Sequence, residues 1–330
     1  MPSDFLALGG DLGGTSTRIV VVGPDGREHG RGITGGGNPT TDPAGAAAAF
    51  GDALRTALAG VDPALVRVSV IGIAGGSALR TPTVGTHFGR VWAGAGLTCE
   101  PGYIPDLEVA FAGGTPAPDG AVLVAGTGAA AGSLTGNRLT RTADGHGWML
   151  GDDGSGFWLG REAVRATLRT LDAGESPGPL VASVLRELDA DRAMGELPEG
   201  RQGTERQRDR VIQAVNARLG VQLSALAPLV TAAYGTGDPQ AQSIVERAAA
   251  ALQATLGLIR DPAESTPIVL AGSLAGDTSP VGVELRALLA DQFAGAVVPA
   301  RTGVGGAAWL ALAALDPALA TSETHARLTS

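Results

Sequence analysis

Carboxylates and three glycine-rich turns carry the chemistry legible in this chain. Residues 8–17 read Leu-Gly-Gly-Asp-Leu-Gly-Gly-Thr-Ser-Thr, and Arg-Ile-Val-Val-Val follows directly. An acid at the end of an apolar strand, followed by glycines and hydroxyls, suits a phosphate group and its metal ion. Gly13, Gly14, Thr15 and Thr17 would let the backbone approach closely and line up an anion nest, and Asp11 would hold Mg²⁺ largely through water. A glycine-rich hairpin with a solvated aspartate has the same letters. The second turn, Gly126-Thr127-Gly128, closes the apolar run Val-Leu-Val-Ala and offers N–H groups and a hydroxyl to terminal phosphates. The third, Ala271-Gly272-Ser273, again ends an apolar strand, where backbone could pass against an adenosine or an α-phosphate. Glycines at strand ends are also commonly structural.

No lysine occurs anywhere, because all 24 basic residues are arginine. The Gly-x-x-x-x-Gly-Lys-Ser/Thr nucleotide loop is therefore impossible, and so is the strand lysine of protein kinases. A nucleotide must be held by backbone N–H groups, hydroxyls, a metal ion and, at most, arginine.

Asp106 is the candidate general base. It follows Ile104-Pro105 at a strand end, where a carboxylate could accept a proton from a substrate hydroxyl. The competing reading is helix capping, for which aspartate is a favoured residue. The segment from Asp144 to Gly160, Asp-Gly-His-Gly-Trp-Met-Leu-Gly-Asp-Asp-Gly-Ser-Gly-Phe-Trp-Leu-Gly, combines aromatic faces with polar groups, as sugar sites do. The competing reading is a mobile loop with two core tryptophans. His146 is not expected to ligate a metal, since the other histidines lie far away in sequence.

These residues need scaffolds, and the pattern supplies them. Phe5–Leu8 and Arg18–Val22 read as paired strands around a glycine turn, and Glu28–Ile33 as a third. An alanine-rich helix over 42–59, a buried strand over 66–74, a helix near 81–95 and a short strand ending at Ile104 follow. Asp106 opens the helix Leu107–Phe111, which closes at Gly113-Gly114. Pro116-Ala-Pro-Asp-Gly120 marks a junction. The pattern then restarts: strand 121–125, turn, strand 129–134. The recurrence indicates two copies of one nucleotide-binding unit. Residues 153–260 are mainly helical, with Gly195–Arg210 a charged surface excursion. A strand at 268–271, a helix, a strand at 296–298 and a final helix from Gly305 complete the chain.

Composition narrows the class. A chain of 330 residues, 44% hydrophobic and 17% charged, fits a globular protein of two domains. Its net charge of −9 and pI of about 5.0 argue against a nucleic-acid partner. The single cysteine, Cys99, excludes an internal disulfide, and together with the absence of a signal peptide it points to the cytoplasm. Gly305–Leu315 is too short to span a bilayer, so no membrane association is expected.

Taken in order, Asp-Leu-Gly-Gly-Thr-Ser-Thr, Gly-Gly-Asn38-Pro, Ile-Pro-Asp106, Ala-Gly-Thr-Gly, Gly-Trp-Met-Leu-Gly-Asp-Asp-Gly-Ser-Gly, Leu-Ala-Gly-Ser and Gly-Gly-Ala-Ala-Trp-Leu resemble the N-acetylglucosamine kinase and BadF/BadG group of the actin-like ATPase superfamily. The resemblance runs from residue 8 to about 313. It implies an α/β fold of two ribonuclease-H-like domains around a central cleft. The first would be residues 1–114 plus about 316–330, and the second 115–315 with a helical insertion at about 174–235. It also implies ATP-dependent phosphorylation of an amino sugar at its 6-hydroxyl. In that frame Asp11 organises Mg²⁺, the turns 13–15 and 126–128 hold phosphates, Asp106 is the base, and Asn38 and Asp152 bind sugar hydroxyls. A homodimer is compatible with it.

Departures from the family pattern bear on the sugar. Ala74-Gly75-Gly76 stands where N-acetylglucosamine kinases usually have Ser-Gly-Gly, and Gly128-Ala129-Ala130 stands for Gly-Ser-Asn. His146 replaces a tryptophan, and Glu108 is an additional acid two residues beyond the base. With Gly75, Ala130, His146 and Glu108 around the acceptor, fewer polar contacts for an acetamido group and one more acid favour a free amine, so glucosamine is the expected substrate. The alternatives are an N-acetylglucosamine kinase, a BadF-type activator ATPase, for which one cysteine is too few to bridge a cluster, and a non-catalytic sugar- or nucleotide-binding protein.

Overall fold

A computed structural model describes residues 5–40, 42–188, 201–218 and 220–330. Leu6–Leu12 (β1) and Thr17–Val22 (β2) pair antiparallel, and Glu28–Thr34 (β3) adds to β2 in the same sense. Asp42 caps Pro43–Ala57 (α1) by accepting the Gly45 N–H. Val66–Ile73 (β4) then runs parallel to β1, and after Pro82–Gly94 (α2) the short strand Tyr103–Pro105 (β5) runs parallel to β4. Asp106–Ala112 (α3) leaves directly from β5.

The second half repeats the design. Gly120–Ala125 (β6), Ala129–Thr135 (β7) and Arg138–Asp144 (β8) form an antiparallel meander. Five helices follow: Gly156–Ala173 (α4), Pro179–Glu187 (α5), Arg201–Asn216 (α6), Ala227–Gly235 (α7) and Pro239–Gly257 (α8). Ile268–Ala271 (β9) pairs parallel with β6, and beyond Pro280–Gln292 (α9) the strand Val297–Pro299 (β10) pairs parallel with β9. The sheets run β3-β2-β1-β4-β5 and β8-β7-β6-β9-β10, with the same sequence of antiparallel and parallel pairings. The strand–glycine turn–strand recurrence therefore reflects two units of one topology.

Strand alternation sorts the first sheet into two faces. Leu6, Leu8, Leu12, Ile19 and Val21 pack with Phe50, Ala53 and Leu54 of α1, whereas Ala7, Val20 and Val22 pack on the opposite side. That opposite side is covered by Gly303–Leu315 (α10), through Val304, Ala307, Ala308, Ala311 and Leu312. The helix lies so close to β1 that a Cβ on Gly9 would stand 2.4 Å from the Ala308 nitrogen, so this crossing requires glycine. The chain thus returns to the first sheet at Gly303, earlier than the boundary near 316 read from sequence. Ser322–Thr329 (α11) then packs against α10 as a further helix that the sequence reading did not contain. The reading also lacked β8. Of the charged stretch expected as an excursion, residues 195–200 fall outside the described residues, and those from Arg201 onward form α6.

Helix α3 joins the halves. Val109 belongs to the core beneath α10, while Leu107 and Phe111 pack with Val122, Leu134 and Val269 of the second sheet.

Candidate active site

Asp11 is the one partly exposed residue of β1 and shares the α10 face with Ala7 and Gly9 by strand alternation. Its carboxylate lies against Gly303, at the start of α10, and 3.9 Å from Nη1 of Arg18, its register partner on β2. Burial, and secondarily the charge of Asp106, push the Asp11 pKa up to about 6, with Arg18 opposing. Burial likewise raises the Asp106 carboxyl above the usual carboxylate range. The parallel strands β1, β4 and β5 deliver both acids to one sheet edge.

Asp106 is the first residue of α3, with Pro105 in the N-cap position and no side-chain cap. The capping explanation therefore does not hold in its expected form. One carboxylate oxygen accepts the Leu107 N–H at 3.1 Å, and the carboxylate retains lone pairs for an incoming hydroxyl.

In the first turn, Gly13 N–H donates to Ser16 O and Gly13 O accepts from Gly37, both at 2.9 Å, while Gly14 and Thr15 are exposed. Thr17 departs from its expected role. It faces the α1 side of the sheet, fully buried, with its hydroxyl unpartnered and set against Gly37. The physical reason is the two-residue period: one position along, Arg18 takes the face of the sheet that carries Asp11. The sequence reading missed Arg18, although alternation in Thr-Arg-Ile-Val-Val-Val would have marked it.

The second turn docks on the first turn of α4. Gly126 O accepts Gly156 N–H at 2.8 Å and Thr127 O accepts Phe157 N–H at 3.1 Å, while Ser155 caps the helix. Residues 126–128 are half-buried, within reach of a ligand. The third turn joins them: Leu274 N–H donates to Ala125 O, and exposed Gly272 and Ser273 lie alongside. Gly272 has φ +89°, and a Cβ there would stand 2.3 Å from Ala125 O, so no other residue fits.

Asp152 lies at the second turn. Its Oδ1 accepts the Ala129 N–H at 3.0 Å, and its carboxylate occupies the space where a Gly128 side chain would be. Burial raises its pKa, with Asp144 and Asp153 adding and His146 opposing. Asp144, whose role the sequence left unread, closes the intervening loop by accepting Asp152 N–H at 2.8 Å and Asp153 N–H at 3.2 Å. Ala130 pairs with Asp144 in the β7–β8 register. His146 is exposed on the loop, with Trp148, Met149 and Leu150, while Trp158 is core. On the first sheet, Asn38 and Gly75 are neighbours: Asn38 Oδ1 accepts Thr40 N–H at 2.9 Å, which leaves its amide N–H groups as the available donors.

Glu108 does not join the site. It is 3% exposed, accepts the Leu139 N–H at 3.0 Å and lies 3.6 Å from Arg138, both on β8. It is a tie between α3 and the second sheet.

The donors fit a hydrated divalent ion. Among the described residues no group of three or more His, Cys, Asp or Glu side chains could hold a metal alone, so an ion at Asp11 would need phosphate and water oxygens to complete its shell. No helix of the described residues is long and apolar enough to cross a membrane.

Two sheets of one topology, each with a glycine turn between its first two strands, define the actin-like ATPase fold. Residues 8–311 match the model of the BadF/BadG/BcrA/BcrD ATPase family, and the chain belongs to that family. A Chromobacterium violaceum structure assigned as an N-acetylglucosamine kinase is similar over 94% of this chain and 100% of its own, with 25% identity and a TM-score of 0.72. A ROK family glucokinase from Streptomyces griseus, in complex with glucose and AMPPNP, shares the fold at 21% identity and a TM-score of 0.55, covering 93% of this chain and 99% of its own. An N-acetylmuramic acid/N-acetylglucosamine kinase from Clostridium acetobutylicum is 35% identical over 71 residues, which span 21% of this chain and only 22% of that protein.

Proposed function

We propose that this protein is an ATP-dependent sugar kinase that phosphorylates the 6-hydroxyl of an amino hexose. The observation that carries the reading is the pairing of Asp106 with Asp11 at one sheet edge, both acids pushed up by burial. An elevated carboxyl at a strand end suits a general base. The Asp106 carboxylate takes the proton of the acceptor hydroxyl as that oxygen attacks the γ-phosphorus. The bond from the γ-phosphorus to its bridging oxygen breaks, and ADP leaves. The turns 13–15, 126–128 and 272–273 hold the nucleotide, and Mg²⁺ at Asp11 would offset phosphate charge. Asn38 and Asp152 orient the sugar. Positioning and charge stabilisation supply most of the catalysis.

D-Glucosamine, giving glucosamine 6-phosphate, is the acceptor we favour. At the segments that stand for the family's Ser-Gly-Gly and Gly-Ser-Asn, Ala74 and Ala130 offer no polar side chain to an acetamido group, and Ala129 is packed in the core. Glu108 no longer supports this choice, because its carboxylate is spent on β8. N-Acetylglucosamine is the second reading, favoured by the likeness to proteins assigned that activity. A coupled ADP-release assay over glucosamine, N-acetylglucosamine and glucose tests both. A higher kcat/KM for glucosamine supports the first reading, a higher value for the acetylated sugar replaces it with the second, and no sugar-dependent ADP release removes the kinase reading altogether.

A further inference from the structure

Arg161, Arg165 and Arg247 converge on the buried carboxylate of Glu162, the latter two at 3.0 Å. Burial pushes the Glu162 carboxyl up, but the Arg247 hydrogen bond and the three positive charges outweigh it and hold the carboxyl below its usual range. One carboxylate therefore faces three cations. Arg161, Arg165 and Arg169 recur every fourth residue along α4, so Arg169 continues the stripe one turn further. The next acid of α4, Asp172, faces Arg208 instead. In a chain of net charge −9, this is a local surplus of positive charge.

Packing accounts for part of the cluster. Arg161 lies over the Phe157 ring and Arg247 over the Trp158 ring, at 5.6 and 5.2 Å. It does not account for Arg169, which is exposed and whose guanidinium makes no hydrogen bond or ion pair among the described residues. Arg169 and Ala166 of α4, with Gln240, Ser243, Ile244 and Arg247 of α8, line a cavity of about 250 Å³. Gln240, Ser243 and Arg247 share one face of α8. The Gln240 amide donates to Thr170 Oγ1 at 3.0 Å, and its Oε1 is buried without a partner among the described residues. The cavity thus offers guanidinium donors, a hydroxyl and a vacant acceptor.

We infer that this α4–α8 cavity is a second ligand site, which takes the phosphoryl dianion of a small phosphorylated polyol. The guanidinium fork matches two oxygens of one phosphoryl group, and the surplus charge suits a dianion better than a carboxylate. A hydroxyl of the same ligand would satisfy Gln240 Oε1. The site is separate from the glycine turns. Gly156 docks on Gly126 at the start of α4, and Ala166 and Arg169 lie roughly 15–20 Å further along that helix. No residue of the proposed kinase machinery lines it, so the kinase reading and this site stand or fall separately.

Calorimetric titration of the full chain with inorganic phosphate, and separately with glucosamine 6-phosphate, tests the site in the wild type and Arg169→Ala. Saturating AMPPNP plus Mg²⁺ is present throughout, to keep the ligands off the glycine turns. Both affinities are expected to fall about ten- to hundredfold in Arg169→Ala, as for lost charge-assisted hydrogen bonds. Sugar-dependent ADP release in that variant should keep the wild-type kcat. Thermal melts identify any unfolded variant, and Arg169→Gln, which keeps much of the stem, then takes its place. Tighter wild-type binding of the sugar phosphate, lost in Gln240→Leu, supports the polyol ester as occupant; equal binding of inorganic phosphate supports the phosphoryl site with the free anion as its source. Unchanged affinity for both ligands in Arg169→Ala overturns the site, and so does a wild-type protein that binds neither.

Discussion

The Glu108 carboxylate accepts the backbone N–H of Leu139 at 3.0 Å and so ties α3, the helix that begins with Asp106, to the start of strand β8 on the other sheet. The acid is buried, and its ion-pair partner Arg138 is largely solvated, so the backbone bond is the stronger component. Glu108→Ala leaves the Leu139 N–H without its partner, and denaturant unfolding is expected to show a loss of about 1–3 kcal/mol. Glu108→Gln keeps an acceptor oxygen and should lose less. In both variants the ratio of kcat/KM for glucosamine to that for N-acetylglucosamine is expected to remain that of the wild type. A collapse of that ratio in Glu108→Gln would return this residue to the amine site.

Asp106→Asn removes the proton acceptor while preserving size and the bond to Leu107 N–H. The expected drop in kcat is roughly 10²–10⁴, the usual contribution of a positioned base. Nucleotide affinity should change little, because Asp106 acts on the acceptor side. Near-normal turnover in a folded variant would move the base elsewhere.

How much of this was legible depended on the range of the signal. The hairpin β1–β2 and its repeat β6–β7 are written in short apolar runs broken by glycine, so the duplicated topology could be read locally. β8 was not, because Arg138–Asp144 is an edge strand with mostly exposed polar residues and so lacks an apolar face. α11 escaped for a similar reason: its only buried residues are His325 and Thr329, neither of which marks a hydrophobic stripe. Glu108 was misread because its partner lies 31 residues away, beyond any local pattern. Thr17 and Arg18 differ, since the alternation that separates them was present in the sequence.

Thr17 supplies a direct check on that alternation. Its hydroxyl is buried without a hydrogen-bond partner, in a sheet position that suits a β-branched residue. Thr17→Val keeps the shape and removes an unsatisfied polar group, so a stability gain of about 1 kcal/mol is expected in urea unfolding. The KM for ATP should be unaltered. A marked rise in KM, with the fold intact, would restore the hydroxyl to the phosphate site.

His325 gives the chain a pH-dependent clasp on the far end of α3. Its Nε2 lies 2.7 Å from the Ala112 carbonyl, which can only accept, so that nitrogen carries the proton of a neutral ring; Trp309 meets the ring edge-on at 5.4 Å. Burial lowers its pKa from 6.5, and the bond to Ala112 opposes the shift. Below pH 6.5 the unfolded histidine therefore binds more protons than the folded one, and the stability His325 contributes above that pH is lost as the solution is acidified. Asp11, raised to about 6, acts in the opposite direction, since its folded form holds the proton more tightly. Total stability mixes the two trends, but the difference between wild type and His325→Gln cancels Asp11. That difference, measured by urea unfolding from about pH 7.5 to about pH 5.5, should favour the wild type at the upper end and shrink toward the lower. A gap that stays constant across the range would mean that His325 packs without titrating.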